Sequence, residues 1–363
     1  MSEYGVIKSD ERPRCLVLFE ESCRSDATKK SYRFELDKFL KWAGRDYEQV
    51  LFLEKTELTD LLVDYALFLK KRVSANSMPI YFAGIFKFFE MNDREFNKRK
   101  VRAFYGERVK RAGDRPIIDN EINDMIRVCQ NQKQRALIYL FSSTGCRPQA
   151  IAELKMKHLE PIGEGCLSLK LYADSLHEMY SFLHENATIE LKQYFEWREK
   201  QGEKINPESF VFVNSTALMY LTVKPMHSTS ISSMFSDLME KAGIKRTKVN
   251  TKNYDLSSTG GYRKRFNTIM KLNSNVSQAI GEMMMDHSNY LEKHYFKPTR
   301  EQLFEEFEKV VPELVFDKAE KLKIENKNKD KHIERIESEK DVELKNMQDQ
   351  INTIKELLKR KES

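Results

Sequence analysis

Apolar residues recur at helical spacing along most of the chain, and the places where that period stops outline its organisation. Residues 1 to about 24 carry no sustained period and read as a flexible lead-in. Ser25 or Asp26 can then cap a helix presenting Tyr32, Leu36, Phe39 and Leu40 on one face. A second helix is predicted through Leu58, Leu61, Leu62, Tyr65 and Leu69, and a third through Ile80, Phe82, Ile85, Phe86 and Phe89. Together they predict a small helical domain over residues 25–100. The basic interval 101–116, broken at Gly106 and Gly113 and closed by Pro116, reads as a linker.

A larger domain is expected over residues 117–316. Two helices are predicted, one through Ile122, Met125, Ile126 and Cys129 and one through Leu137, Ile138, Leu140 and Phe141. The period then shortens to two: Leu167, Leu169 and Leu171 alternate with Ser168, Lys170 and Tyr172, which predicts a strand. Tyr180 to Leu183 makes a second strand across the polar turn at Ala173, Asp174 and Ser175, giving a hairpin. Helices resume from Ile189 to Trp197 and from Ile231 to Ala242. The predicted fold is mainly α with a small antiparallel β-sheet, in two domains.

Residues 317–363 form a third region, rich in Lys and Glu and without aromatic residues. Ala319, Leu322, Asn326, Lys329, Ile333 and Ile336 follow one heptad seam. Leu344, Met347, Ile351, Ile354 and Leu358 follow another, offset by a stutter. The pattern predicts a coiled-coil tail joining protomers. Its charges of both signs nearly cancel, so the tail is not expected to bind DNA.

At 363 residues the chain is long enough for two domains with real interiors. A net charge of +6 suits a polyanionic partner without requiring one. The cysteines number five and contain no CxxC pair, which argues against a disulfide framework or a zinc site. No apolar run approaches a membrane span and no signal-peptide pattern opens the chain, so a soluble, cytoplasmic protein is expected.

Three segments carry candidate chemistry. Thr144-Gly145-Cys146-Arg147-Pro148 breaks an apolar helix at Gly145 and restarts one at Pro148, leaving Arg147 at a helix start, where its planar fork can grip two phosphate oxygens. Gly260-Gly261-Tyr262-Arg263-Lys264-Arg265-Phe266 opens a basic helix. Three successive residues cannot share one helical face, and Arg263 is taken as the cation facing inward with Tyr262 and Phe266. Asp286-His287-Ser288 and Tyr295-Phe296-Lys297-Pro298 set a histidine and a tyrosine about two helical turns apart beside cations. A phenol so placed is a candidate nucleophile.

In this order the segments resemble the tyrosine recombinase (phage integrase) family, over roughly residues 25–300. The Tyr-x-Lys-Pro ending and the RKRFNT segment look most like archaeal members. The resemblance implies a C-shaped clamp, a helical core-binding domain and a catalytic domain closing on duplex DNA. It also implies multimers that reach a synaptic tetramer, and an association with the nucleoid. Tyr295 would attack a DNA phosphate held by Arg147 and Arg263, with His287 nearby, forming a 3′-phosphotyrosyl bond and releasing a 5′-hydroxyl. Bond energy is conserved, so neither a cofactor nor a metal is needed. Arg108, Lys110, Arg111, Lys264 and Arg265 would contact DNA.

Departures from the family pattern are visible too. The hairpin turn lacks the family's proton-donating lysine, leaving Lys170 or His177. Gly260 stands where the second box usually opens with histidine. Ala150 stands where the first box has an acid, so that Glu153 is the candidate to steady Arg147. Tyr290 is the weaker alternative nucleophile. These departures keep a non-cleaving DNA-binding clamp as the alternative function. Two further readings are a coiled-coil scaffold without a nucleic-acid role, which rests only on the tail, and a monomeric topoisomerase sharing the chemistry, which would have little use for such a tail.

Overall fold

The computed structural model describes residues 12–108, 115–214, 223–248, 254–287 and 295–359. The chain divides into two units, Met1–Arg111 and Ala112–Ser363.

The first unit is helical: α1 (Arg14–Glu21), α2 (Asp26–Ala43), α3 (Tyr47–Leu51), α4 (Lys55–Lys70), α5 (Met78–Met91) and α6 (Lys98–Ala103). Ser25 caps α2, its hydroxyl accepting from Thr28 N–H at 3.2 Å, and Gly44 ends the helix with φ +65°. The apolar stripes predicted from spacing meet in one core, where Leu36, Phe39, Leu62, Phe82 and Phe89 are fully buried, except that Ile80, expected on the third stripe, is exposed. Each such side chain removed from water contributes on the order of 1.5–3 kcal/mol. α2 and α5 approach closely because Gly84 has no side chain; a Cβ there would stand 2.5 Å from the Tyr32 carbonyl oxygen. One expectation is corrected. The supposed flexible lead-in contains α1, whose Leu16 and Phe19 are buried in this core. Eight residues are too few for periodicity to announce a helix that tertiary packing stabilises.

In the second unit α7 (Asp119–Arg127), α8 (Gln132–Thr144) and α9 (Pro148–Ala152) precede a three-stranded antiparallel sheet in the order β1-β2-β3. The strands are β1 (Leu159–Ile162), β2 (Cys166–Leu171) and β3 (Met179–Leu183). β2 and β3 form the expected hairpin, with Lys170 opposite Tyr180 and Ser168 opposite Phe182. β1 has no counterpart in the sequence reading. It is short and carries Pro161, which an edge strand tolerates.

Then come α10 (Glu185–Lys200), α11 (Ser228–Lys241), α12 (Gly260–Leu272), α13 (Gln278–Met284), α14 (Arg300–Glu308) and α15 (Val311–Leu314). Leu169 and Leu171 enter the main core with α8 and α10, while Phe182 joins Phe266, Met270, Phe304 and Phe307 in a second cluster. Apolar layers thus cover both faces of the hairpin, and Ser168, which alternates with the leucines of β2, is buried as well.

A single helix, α16 (Lys318–Lys359), ends the described chain. Its 42 residues span about 63 Å at ~1.5 Å per residue. Phe316 plugs its start into the main core, and Lys321 and Lys327 pair with Asp119 and Glu164 at 2.6 and 3.0 Å. Farther along, Ile333, Leu344 and Met347 lie exposed. No helix among the described residues is long and apolar enough to cross a membrane.

Candidate active site

Gly145 ends α8 in the left-handed conformation, φ +55°, and a Cβ on it would meet Phe266 Cβ at 2.6 Å and Arg263 Cα at 3.2 Å. Both the turn and the approach of α12 require glycine there. The same turn delivers Arg147 in extended backbone to the start of α9, with Pro148 in its first turn.

Arg263 joins all three motifs. Its Nη1 donates to Gly145 O at 3.2 Å, and its Nη2 donates to Met285 O and meets His287 Nε2 at 3.0 Å. Arg147 reaches the third motif through Asp286, Nη1 to Oδ2 3.6 Å. Asp286, itself in the left-handed region at φ +50°, also holds His177 Nδ1 at 3.1 Å from the same oxygen. Two guanidinium groups, the hairpin turn and the third motif therefore meet in one place.

The electrostatics of this cluster favour an anion. Burial, and next the like charge of Arg147, lower the Arg263 pKa from its ordinary value. The His287 imidazole is also pushed down, first by burial and then by Arg263, against the opposing pull of Glu282. A neutral ring fits the contacts, with Nδ1–H toward Glu282 Oε2 at 3.4 Å and Nε2 accepting from Arg263. A phosphate between the two guanidinium groups would lower their mutual repulsion further than the single Asp286 carboxylate does.

The remaining expected residues are dispersed. Tyr295 is 88% exposed, and among the described residues no hydrogen bond or ion pair joins it to the arginines. Lys170 pairs with Glu178 at 3.2 Å. Arg108 is exposed in the first unit and, with Arg102 and Tyr105, lines a cavity of ≈ 500 Å³. Lys264 is partly exposed on α12. Lys110, Arg111 and Tyr290 lie outside the described residues.

Two expectations are corrected. Arg265 is only 6% exposed; it pairs with Asp119 at 2.7 Å and donates to Glu313 O and Leu314 O at 2.8 and 3.1 Å. It binds the chain to itself rather than facing solvent, and it is this cation that shares the buried face with Tyr262 and Phe266, while Arg263 faces the cluster. Glu153 does not steady Arg147, because Gln149 occupies it and Asp286 takes that place.

Sequence reasoning missed Asp286 as a partner although it precedes His287 directly, and it missed Tyr172. Half-buried Tyr172 has φ +52° and lies beside Arg147 and Arg263.

Among solved structures, the fold is similar to XerH site-specific recombinase bound to difH substrate, at 14% identity and TM-score 0.52, over 78% of this chain and 85% of that one. It is similar also to the Tn1549 transposon integrase in complex with transposon right end DNA, at 13% and 0.53, over 81% and 98%. A lambda integrase dimer bound to a core site gives 13% and 0.51, over 79% and 94%. No curated protein matches the sequence. The family model that matches residues 117–302 is that of the phage integrase family, to which the chain belongs.

Proposed function

We propose that this protein is a site-specific DNA recombinase or integrase that cuts and rejoins duplex DNA through a 3′-phosphotyrosyl intermediate on Tyr295. The observation that carries the reading is the meeting of Arg147 and Arg263 beside a neutral His287, a pocket for one phosphodiester. A phenol has an ordinary pKa of about 10 and must lose its proton as it attacks. Two cations on the phosphate spread the charge that develops. The exposed hydroxyl of Tyr295 is open to a bound duplex. The two units would grip that duplex together, with Arg108, Lys110, Arg111 and Lys264 on its backbone, and the protein would work on the nucleoid. The Tyr-Phe-Lys-Pro ending supports an archaeal-type member.

A nicked suicide duplex tests the reading. The protein is expected to form a covalent adduct that Tyr295→Phe abolishes without loss of duplex binding. A non-cleaving clamp is the second reading, favoured by Gly260 and by the exposed Tyr295, which no hydrogen bond among the described residues ties to the arginines; it predicts salt-sensitive binding and no adduct.

We infer further that α16 pairs with a second copy of itself as a coiled coil, since Leu322 and Leu344, among the described side chains of its apolar seam, are 59% and 61% exposed in the single chain. Truncation after Phe316 is expected to reduce the mass in solution to that of the monomer. Light scattering on both forms checks this, and an unchanged multimer sinks it.

A further inference from the structure

Breaking a phosphodiester leaves an alkoxide that needs a proton, and the family lysine is missing from the hairpin turn. Lys170 is occupied by Glu178 and His177 by Asp286. A third hairpin side chain, Tyr172, packs on His177, whose partner Asp286 also pairs with Arg147. It follows β2 in a conformation that bulky residues rarely adopt, φ +52°. Ser175 holds it there, donating to the Tyr172 carbonyl from N–H at 3.1 Å and from its hydroxyl at 2.8 Å. The Tyr172 ring lies edge-on to His177, centroids 6.4 Å apart, and the nearby Arg147 and Arg263 charges pull its phenol toward ionisation against the larger effect of burial. Arg147, Asp286, His177 and Tyr172 thus form a continuous chain of contacts from the first motif to the hairpin turn.

Building on the recombinase reading, we propose that Tyr172 is a catalytic residue that donates its phenolic proton to the leaving 5′ oxygen. As the bond from the Tyr295 oxygen to phosphorus forms, the bond from phosphorus to the 5′ oxygen breaks and that oxygen takes the Tyr172 proton. The Tyr295 proton leaves to water, and the Tyr172 phenolate regains one from water, so the count balances. Burial raises the Tyr172 pKa and keeps it protonated at neutral pH, while Arg147 and Arg263 stabilise the phenolate that remains. The strained backbone is consistent with a residue held for function.

The test uses two nicked duplexes, one with the ordinary 5′ oxygen and one with sulfur at that bridging position, because a thiolate leaves without a proton. Tyr172→Phe, which keeps the ring, is expected to slow adduct formation on the oxygen duplex about 10²-fold and to return to the wild-type rate on the sulfur duplex. A variant as fast as wild type on oxygen, or equally slow on both, overturns the proposal. So does sulfur rescue of His177→Ala in place of Tyr172→Phe, which would assign the proton to His177. If the wild type forms no adduct on either duplex, the recombinase reading itself falls, and this proposal with it.

Discussion

Arg147→Ala and Arg263→Ala are each expected to slow covalent adduct formation by about 10²–10³-fold, the effect of removing one donor aimed at developing charge, worth about 3–4 kcal/mol. The two should differ in what else they disturb. Arg147 is 45% exposed and its contact with Asp286 is long, so alanine there removes a phosphate contact with little structural cost. Arg263 spans Gly145 O, Met285 O and His287, so alanine also strips a tie between the first and third motifs. Arg263→Lys keeps the charge but cannot reach three partners with one planar fork, and it should recover only part of the rate. The double variant should lose less than the product of the single losses, because both groups act on one phosphorus. Single-turnover adduct formation on the nicked duplex measures the rates, with binding followed separately against salt. An Arg147→Ala protein that cleaves at the wild-type rate would remove the phosphate pocket from the proposal.

How much of this was legible in the sequence depends on whether the responsible contact is local. The Ser25 cap, the restart at Pro148 and the β2–β3 hairpin follow from neighbours a few positions apart, and spacing announced them. The pair Arg147 and Asp286 and the pair Gly145 and Arg263 join residues more than a hundred positions apart, which no periodicity reports. Only the family resemblance set the arginines together. The left-handed turn that places Tyr172 likewise has no marker in a strand that ends on alternating residues. For Arg265 the signal was present. Tyr262, Arg265 and Phe266 fall at i, i+3 and i+4, the spacing of one helical face, whereas Arg263, the cation taken to face inward, stands only one position from Tyr262.

That correction makes Arg265 separable from its neighbour by experiment. Arg265→Ala is expected to lower the unfolding free energy by about 3 kcal/mol and to leave the salt dependence of DNA binding unchanged. A fully buried pair broken on one side costs about 3–5 kcal/mol; here the low end applies, because Asp119 is partly exposed and keeps Lys321 at 2.6 Å. What is left unpaired is the carbonyl pair of Glu313 and Leu314 on α15, the segment leading into α16. The loss should therefore loosen the anchorage of the long helix as well as α12. Lys264→Ala, one position earlier and partly exposed, should do the reverse, costing little stability and reducing the salt slope by about one. Urea unfolding and duplex binding across a salt series read both quantities on the same proteins. If Arg265→Ala proves as stable as wild type and shallower in salt, its guanidinium faces DNA after all, and the buried pairing with Asp119 does not describe the working protein.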